Sequence, residues 1–170
     1  MSQEFGYKVS TFHHGVEAYK IANLLADEGI CAALWADWWG FKHEAYDMTI
    51  ANIAIVDQAR GGTGCAIVHS DSASGIQRLN QEAAKALAAG REAGFDISEE
   101  RAMTWITKNP AKSLGILEKT GTLENGKDAD IVIWSGNPFS VYSKAEQVYI
   151  DGALAFDKTT NFMPHTDFDL

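Results

Sequence analysis

Gly64-Cys65-Ala66-Ile67-Val68-His69-Ser70-Asp71-Ser72 is the stretch whose reading decides the fold. Cys65 to Val68 is a short apolar run, with glycines before it and Ser/Asp after it. A run of that length suits a parallel strand covered on both faces. In α/β folds, chemistry collects at the carboxyl ends of such strands. Asp71 stands at that end, two residues after His69.

The same arrangement recurs upstream. Tyr7 to Phe12 reads as a first strand ending on His13-His14-Gly15. Val16 to Glu28 reads as a helix, with Val16, Tyr19 and Leu24 at helical spacing and Gly29 as its stop. Ile30 to Ala36 is the second strand, ending on Asp37-Trp38-Trp39-Gly40, and Glu44 to Ala59 a second helix with Tyr46, Ile50, Ile53 and Val56 toward a core. Strand, helix, strand, helix, strand means right-handed parallel βαβ units. Three strand ends rich in His, Asp and Trp on one rim are hard to explain as core filling.

Downstream, Gln77 to Ala89 is an alanine-rich helix, Ser98 an N-cap ahead of Glu99 and Glu100, and Asn109 a second N-cap before Pro110. After Gly115 the chain becomes turn-rich. Ile131 to Trp134, Gln147 to Ile150 and Ala153 to Phe156 read as short strands, the last two joined by Asp151-Gly152, a tight-hairpin signal. The expected organisation is an α/β region over 1–115, a small β appendage over 116–157 and a tail over 158–170.

The chain has 170 residues, 46% hydrophobic and 22% charged, a globular composition. A net charge of −9 disfavours nucleic acid or an anionic membrane surface as partner. No apolar run approaches a membrane span, and the first residues show no basic and apolar signal-peptide pattern; the compartment is left open. Cys31 and Cys65 each lie six residues before an aspartate, at the same level of successive strands. They read as two small buried core residues rather than a disulfide or metal pair, since CxxC spacing is absent. Arg60-Gly61-Gly62-Thr63-Gly64 leads into a strand and opens no helix, so it makes a poor phosphate cradle.

Three motifs carry a resemblance. Asn109-Pro110-Ala111-Lys112-Ser113-Leu114-Gly115-Ile116, Gly121-Thr122-Leu123-Glu124-Asn125-Gly126-Lys127-Asp128-Ala129-Asp130-Ile131-Val132 and Val148-Tyr149-Ile150-Asp151-Gly152, after a strand ending in Ser-Asp, resemble the carboxyl-terminal signature of the amidohydrolase superfamily. The upstream half is similar to its imidazolonepropionase-like and prolidase-like branch. The resemblance implies a (β/α)8 barrel with an appended β-sandwich, here about the last three βα units and part of the sandwich. It implies a metal-dependent hydrolase of C–N bonds, with zinc as the expected divalent metal and a small amide or dipeptide as substrate. By motif, His14 and Asp71 are the implied metal ligands, and Asp71 the implied proton-transfer residue.

The chain departs from the family pattern in having no His-x-His, and a full barrel of this type takes about 250 residues. The chain is therefore expected to be a fragment inactive alone, or a non-catalytic lobe that associates with a second copy or with the missing N-terminal part. Its partial sheet is expected to leave two open edges. Trp38, Trp39, His69, Lys42 and Tyr46 are candidate substrate contacts. His13 is expected to face the other side of its strand, and His43 and His165 to be solvated. Asp71 also reads as a helix-capping or turn residue.

Overall fold

The computed structural model describes residues 2–160; His165 and the tail from residue 161 onward lie outside the described residues. A short helix α1 (Ser2–Phe5) precedes strand β1 (Thr11–His13). A 3-10 turn and α2 (Ala22–Asp27) lead to β2 (Cys31–Leu34), then α3 (Asn52–Gly62) to β3 (Ala66–Val68). The order β1-β2-β3 is parallel throughout, with Phe12 opposite Ala32 and Ala33 opposite Ile67. The βαβ alternation read from the sequence is present.

The strands are shorter than their apolar runs. β1 covers only Thr11–His13, because pairing is set by the four residues of β2. The first helix begins at Ala22, and Leu25 rather than Leu24 enters the core, leaving Leu24 56% exposed. Similarly α3 begins at Asn52, so Tyr46 and Ile50 are exposed while Ile53 and Val56 are buried. Helical geometry in α3 fails at Ala59 to Gly61, where Arg60 takes φ 52° and is held by a two-point ion pair with Asp27.

Alternation along the strands divides two cores. Ala32, Leu34, Ala66 and Val68 face the helices and join Ile53, Val56, Ala83, Leu87 and Trp105. Cys31, Ala33, Cys65 and Ile67 face the other way as a small separate cluster. Cys31 and Cys65 are joined by a disulfide there, correcting the reading of two free thiols. Residues 32 and 66 pair in register, which sets the two cysteines opposite each other one step earlier.

Helix α4 (Leu79–Glu92) packs on α3, where Gly90 allows Ala54 to approach. Ser98 caps α5 (Glu99–Met103) by accepting from the Arg101 N–H, as the sequence suggested. Asn109 is no cap: it lies inside α6 (Lys108–Ser113), is buried, and its Nδ2 donates to the Ala66 carbonyl at 2.7 Å. The Val68 N–H donates to the Trp105 carbonyl. The outer edge of β3 is therefore closed by the chain's own 105–109 segment, and among the described residues β1 is the strand left with an unpaired edge in this sheet.

A buried ionic knot ties these helices. Asp57 is fully buried and accepts from Arg101 Nε, Trp105 Nε1 and Gln58 Nε2 at 2.7–3.0 Å. Arg101 also donates to the carbonyls of Gly62 and Gly64. Gly64 admits no side chain, since a Cβ there would sit 1.7 Å from the Val56 carbonyl oxygen.

The second sheet is antiparallel, β4 (Ile131–Trp134), β5 (Ala145–Ile150) and β6 (Ala153–Asp157) in chain order. Asp151 and Gly152 turn between β5 and β6 with φ 50° and 76°, the two positive angles of a type I′ hairpin. Asn137 donates to Glu99 and Asn80 to the Pro138 carbonyl, fastening the preceding loop to the helical layer.

Candidate functional site

The site lies where β1, β2 and β3 end. His14 immediately follows β1 and Asp71 follows β3 by three residues, and both hold positive φ, 55° and 50°. Non-glycine residues seldom occupy that region, and they persist there where surrounding contacts over-determine them. Those contacts are visible. Asn52, 1% exposed, donates from Nδ2 to the carbonyls of Gly15 and Val16, while its Oδ1 accepts from the Tyr19 N–H. The Gly15 N–H reaches back to the Ala33 carbonyl. Buried Ser70 folds the Asp71 turn by bonding both backbone groups of Ser72.

His14 Nδ1 and Asp71 Oδ2 stand 3.8 Å apart, each side chain about half exposed. Asp71 caps no helix; Ser72 Oγ accepts from the Gly75 N–H and closes the turn that follows. His13 does not point away from the site as expected, because its register opposite Ala33 puts it on the face of Cys31, Ala33 and Ile67. The left-handed turn at His14 ends the alternation, and the His13, His14 and His69 rings gather with centroids 5.1–6.3 Å apart. His69 is held down to a pKa of about 4, chiefly because burial disfavours the imidazolium, and further by His14 and His13; Asp71 opposes this. His69 is therefore neutral at physiological pH.

Trp35 is the centre of the site. It follows β2 on the side shared by Cys31 and Ala33, is 2% exposed, and its ring contacts those of His14, Trp38, Phe41 and His69 at 4.8–5.6 Å. Lys42 lays its ammonium over the Trp35 and Phe41 rings, 5.4 and 5.2 Å from their centroids. Of the candidate substrate contacts, Trp38, Lys42 and His69 thus meet around Trp35. Trp39 and Tyr46 instead pair with each other, exposed, at 5.9 Å. His43 lies exposed on a 3-10 turn. Sequence reasoning missed Trp35 and Asn52. The odd-numbered alternation Cys31, Ala33, Trp35 carried the signal for the first; a lone asparagine opening an apolar helix carried it for the second.

An imidazole nitrogen and a carboxylate oxygen at 3.8 Å suit two positions of a zinc shell, which draws on three or four protein ligands. Among the described residues no group of three His, Cys, Asp or Glu side chains is placed to hold a metal. The described residues by themselves do not complete such a centre.

An α/β scaffold with a histidine and an aspartate on one strand-end rim, followed by an antiparallel sheet, defines the class. Residues 54–162 match the amidohydrolase family, and the chain belongs to it. It is 31% identical over 161 residues to the amidohydrolase tasK of Hapsidospora irregularis, covering 92% of this chain and 16% of that protein. Against the imidazolonepropionase of Thermoplasma volcanium it is 42% identical over 69 residues, 37% of this chain and 17% of the relative. The crystal structure of an amidohydrolase from Thermotoga maritima MSB8 superimposes with a TM-score of 0.76 at 35% identity, covering 92% of this chain and 39% of that one. An adenosine deaminase from Xanthomonas campestris, solved with bound zinc, shares the fold at 14% identity and a TM-score of 0.69, over 91% of this chain and 39% of that one. The chain thus spans about a sixth of the length of these two curated relatives and two fifths of the solved ones. Among the described residues no helix is long and apolar enough to cross a membrane.

Proposed function

We propose that this chain is the carboxyl-terminal portion of a metal-dependent amidohydrolase that cleaves a C–N bond in a small cyclic amide or a proline-containing dipeptide. In this reading residues 1–115 are the last three βα units of a (β/α)8 barrel. Residues 116–157 are part of a composite β-sandwich, and 158–170 a tail. The observation that carries the reading is the His14–Asp71 pair, 3.8 Å apart at the ends of β1 and β3 on either side of β2, with both backbones held in the left-handed region.

His14 and Asp71 would hold the metal, together with donors from outside the described residues. Zinc, when bound, supplies a water of depressed pKa and an electrophile for the carbonyl. Asp71 takes a proton from the attacking water and returns it to the departing nitrogen. His69, neutral, walls the pocket beside it without adding charge. Trp35 and Trp38 exclude water from the reacting face.

A second reading is favoured by the two-donor count: a non-catalytic lobe that works by association with itself or with an N-terminal part. One experiment separates them. Purified chain, without added metal, is analysed by elemental mass spectrometry beside His14→Ala and Asp71→Ala. About one zinc per chain, lost in both variants, supports the hydrolase reading and calls for an assay of dipeptide hydrolysis. Absence of metal from the wild-type chain, alone and when co-expressed with the upstream portion of a family member, overturns it in favour of the lobe.

A further inference from the structure

Two polar atoms at the centre of the site are buried without a hydrogen-bond partner among the described residues: Trp35 Nε1 and His69 Nε2. Their rings stack, with centroids 5.3 Å apart and planes 29° from parallel. An indole N–H can only donate, and leaving such a donor unmet in a buried place is costly enough that it calls for an explanation. The nearest full positive charge on the same aromatic surface is Lys42. The Trp35 ring also touches His14 at 4.8 Å, which places these donors beside the His14–Asp71 pair.

We propose that Trp35 Nε1–H, the His69 imidazole and the Lys42 ammonium form a subsite for a carboxylate of the substrate, with Trp38 and Phe41 walling the flat apolar part of the same molecule. The inference rests on the hydrolase reading for the word substrate and deepens it by naming a required chemical feature. The Trp35 N–H, the His69 ring nitrogen beside it in its Nε2–H form, and one flexible ammonium match the acceptors of a carboxylate, and the ammonium balances its charge. The aromatic walls favour a ring, such as that of proline, over an extended chain. A neutral amide ligand would leave Lys42 without a counter-charge. Admission of the ligand requires the 37–42 segment to shift, since Phe41 and Lys42 lie over Trp35. That segment is held at Asp37 by Lys85 and at Gly40, whose N–H donates to the Ala45 carbonyl.

The test is a titration of the full 170-residue chain, ¹⁵N-labelled, with N-acetyl-L-proline and separately with N-acetyl-L-prolinamide, reading the indole N–H signals of the five tryptophans. Trp35→Phe assigns its signal. Lys42→Met, an exposed change that keeps the stem, tests the charge without disturbing the core. The expected result is a saturable downfield shift of the Trp35 signal with the carboxylate and none with the amide, with affinity lowered roughly tenfold in Lys42→Met. An equal response to both ligands, an unmoved Trp35 signal, or unchanged affinity in Lys42→Met overturns the subsite. Neither metal nor turnover enters this readout. Selective carboxylate binding without hydrolysis by any assembled form refutes only the hydrolase reading. Hydrolysis with no carboxylate preference refutes only the subsite.

Discussion

Asp57→Ala is the perturbation with the largest expected consequence for stability. The Asp57 carboxylate is fully buried and accepts three side-chain donors, from Arg101, Trp105 and Gln58. Removing it leaves Trp105 Nε1 unmet inside the core, at about 1–3 kcal/mol. It also strands a guanidinium; breaking a buried pair from one side costs about 3–5 kcal/mol. The Arg101 side chain is 35% exposed and keeps its bond to the Gly62 carbonyl, so water and backbone recover part of that second cost. The net expectation is a loss of about 3–4 kcal/mol. Asp57→Asn preserves an acceptor for Trp105 and loses only the charge, so about half that loss is expected. Urea unfolding followed by tryptophan fluorescence measures both. A loss below about 1 kcal/mol for Asp57→Ala, or equal losses for Ala and Asn, would refute the argument that this carboxylate organises α3, α5 and the turn into β3.

Gly64→Ala places a Cβ 1.7 Å from the Val56 carbonyl oxygen, so the variant is expected to be insoluble or to lose more than about 4 kcal/mol; a wild-type melting curve contradicts the close approach. The Cys31–Cys65 disulfide closes a loop with a sequence separation of 34, worth about 3–4 kcal/mol on the chain-entropy estimate, so Cys31→Ser/Cys65→Ser and reductant should lower the urea midpoint alike. Two titratable thiols in the unreduced, unfolded chain would remove that bond. Because His69 binds its proton at about 4 when folded and near 6.5 when unfolded, the unfolded state holds more protons between those values. Stability should therefore fall on acidification from pH 7 to 4, by roughly 2 kcal/mol after allowance for partial solvent access. His69→Gln should flatten that slope, read from urea midpoints across the pH range.

The parallel βαβ order was legible because short apolar runs separated by helical periodicity have few other solutions. The β5–β6 hairpin was legible because Asp151-Gly152 supplies the two positive φ values that its turn demands. His14 and Asp71 could be paired on one rim because both follow strands of the same sheet. Other features depend on contacts between distant segments that no local pattern encodes. Asn109 looked like a cap beside Pro110, yet its amide is spent on the Ala66 carbonyl, 43 residues away. The break in α3 at Ala59 to Gly61 follows from holding Arg60 on Asp27 across another helix. Trp35 was hidden within an apolar run whose two faces serve different cores. Trp38 and Trp39 drew the reading instead, because they sit in the loop where binding residues are expected.

The two edges of the parallel sheet are chemically unlike, and this bears on how a larger assembly could form. On the outer side of β3, the Ala66 carbonyl and the Val68 N–H are already bonded to Asn109 and to the Trp105 carbonyl. A strand on that side, which closure of the proposed (β/α)8 barrel requires, would have to displace both contacts and disturb Trp105, which is itself bound to Asp57. On the other side, β1 has a strand neighbour only at β2 among the described residues, and its Phe12 is about half exposed. Strand addition there forms new ladder bonds without breaking existing ones and covers apolar surface at the same time. Association through β1 is thus the less costly route, and it would bring new side chains to the rim that His14 already occupies.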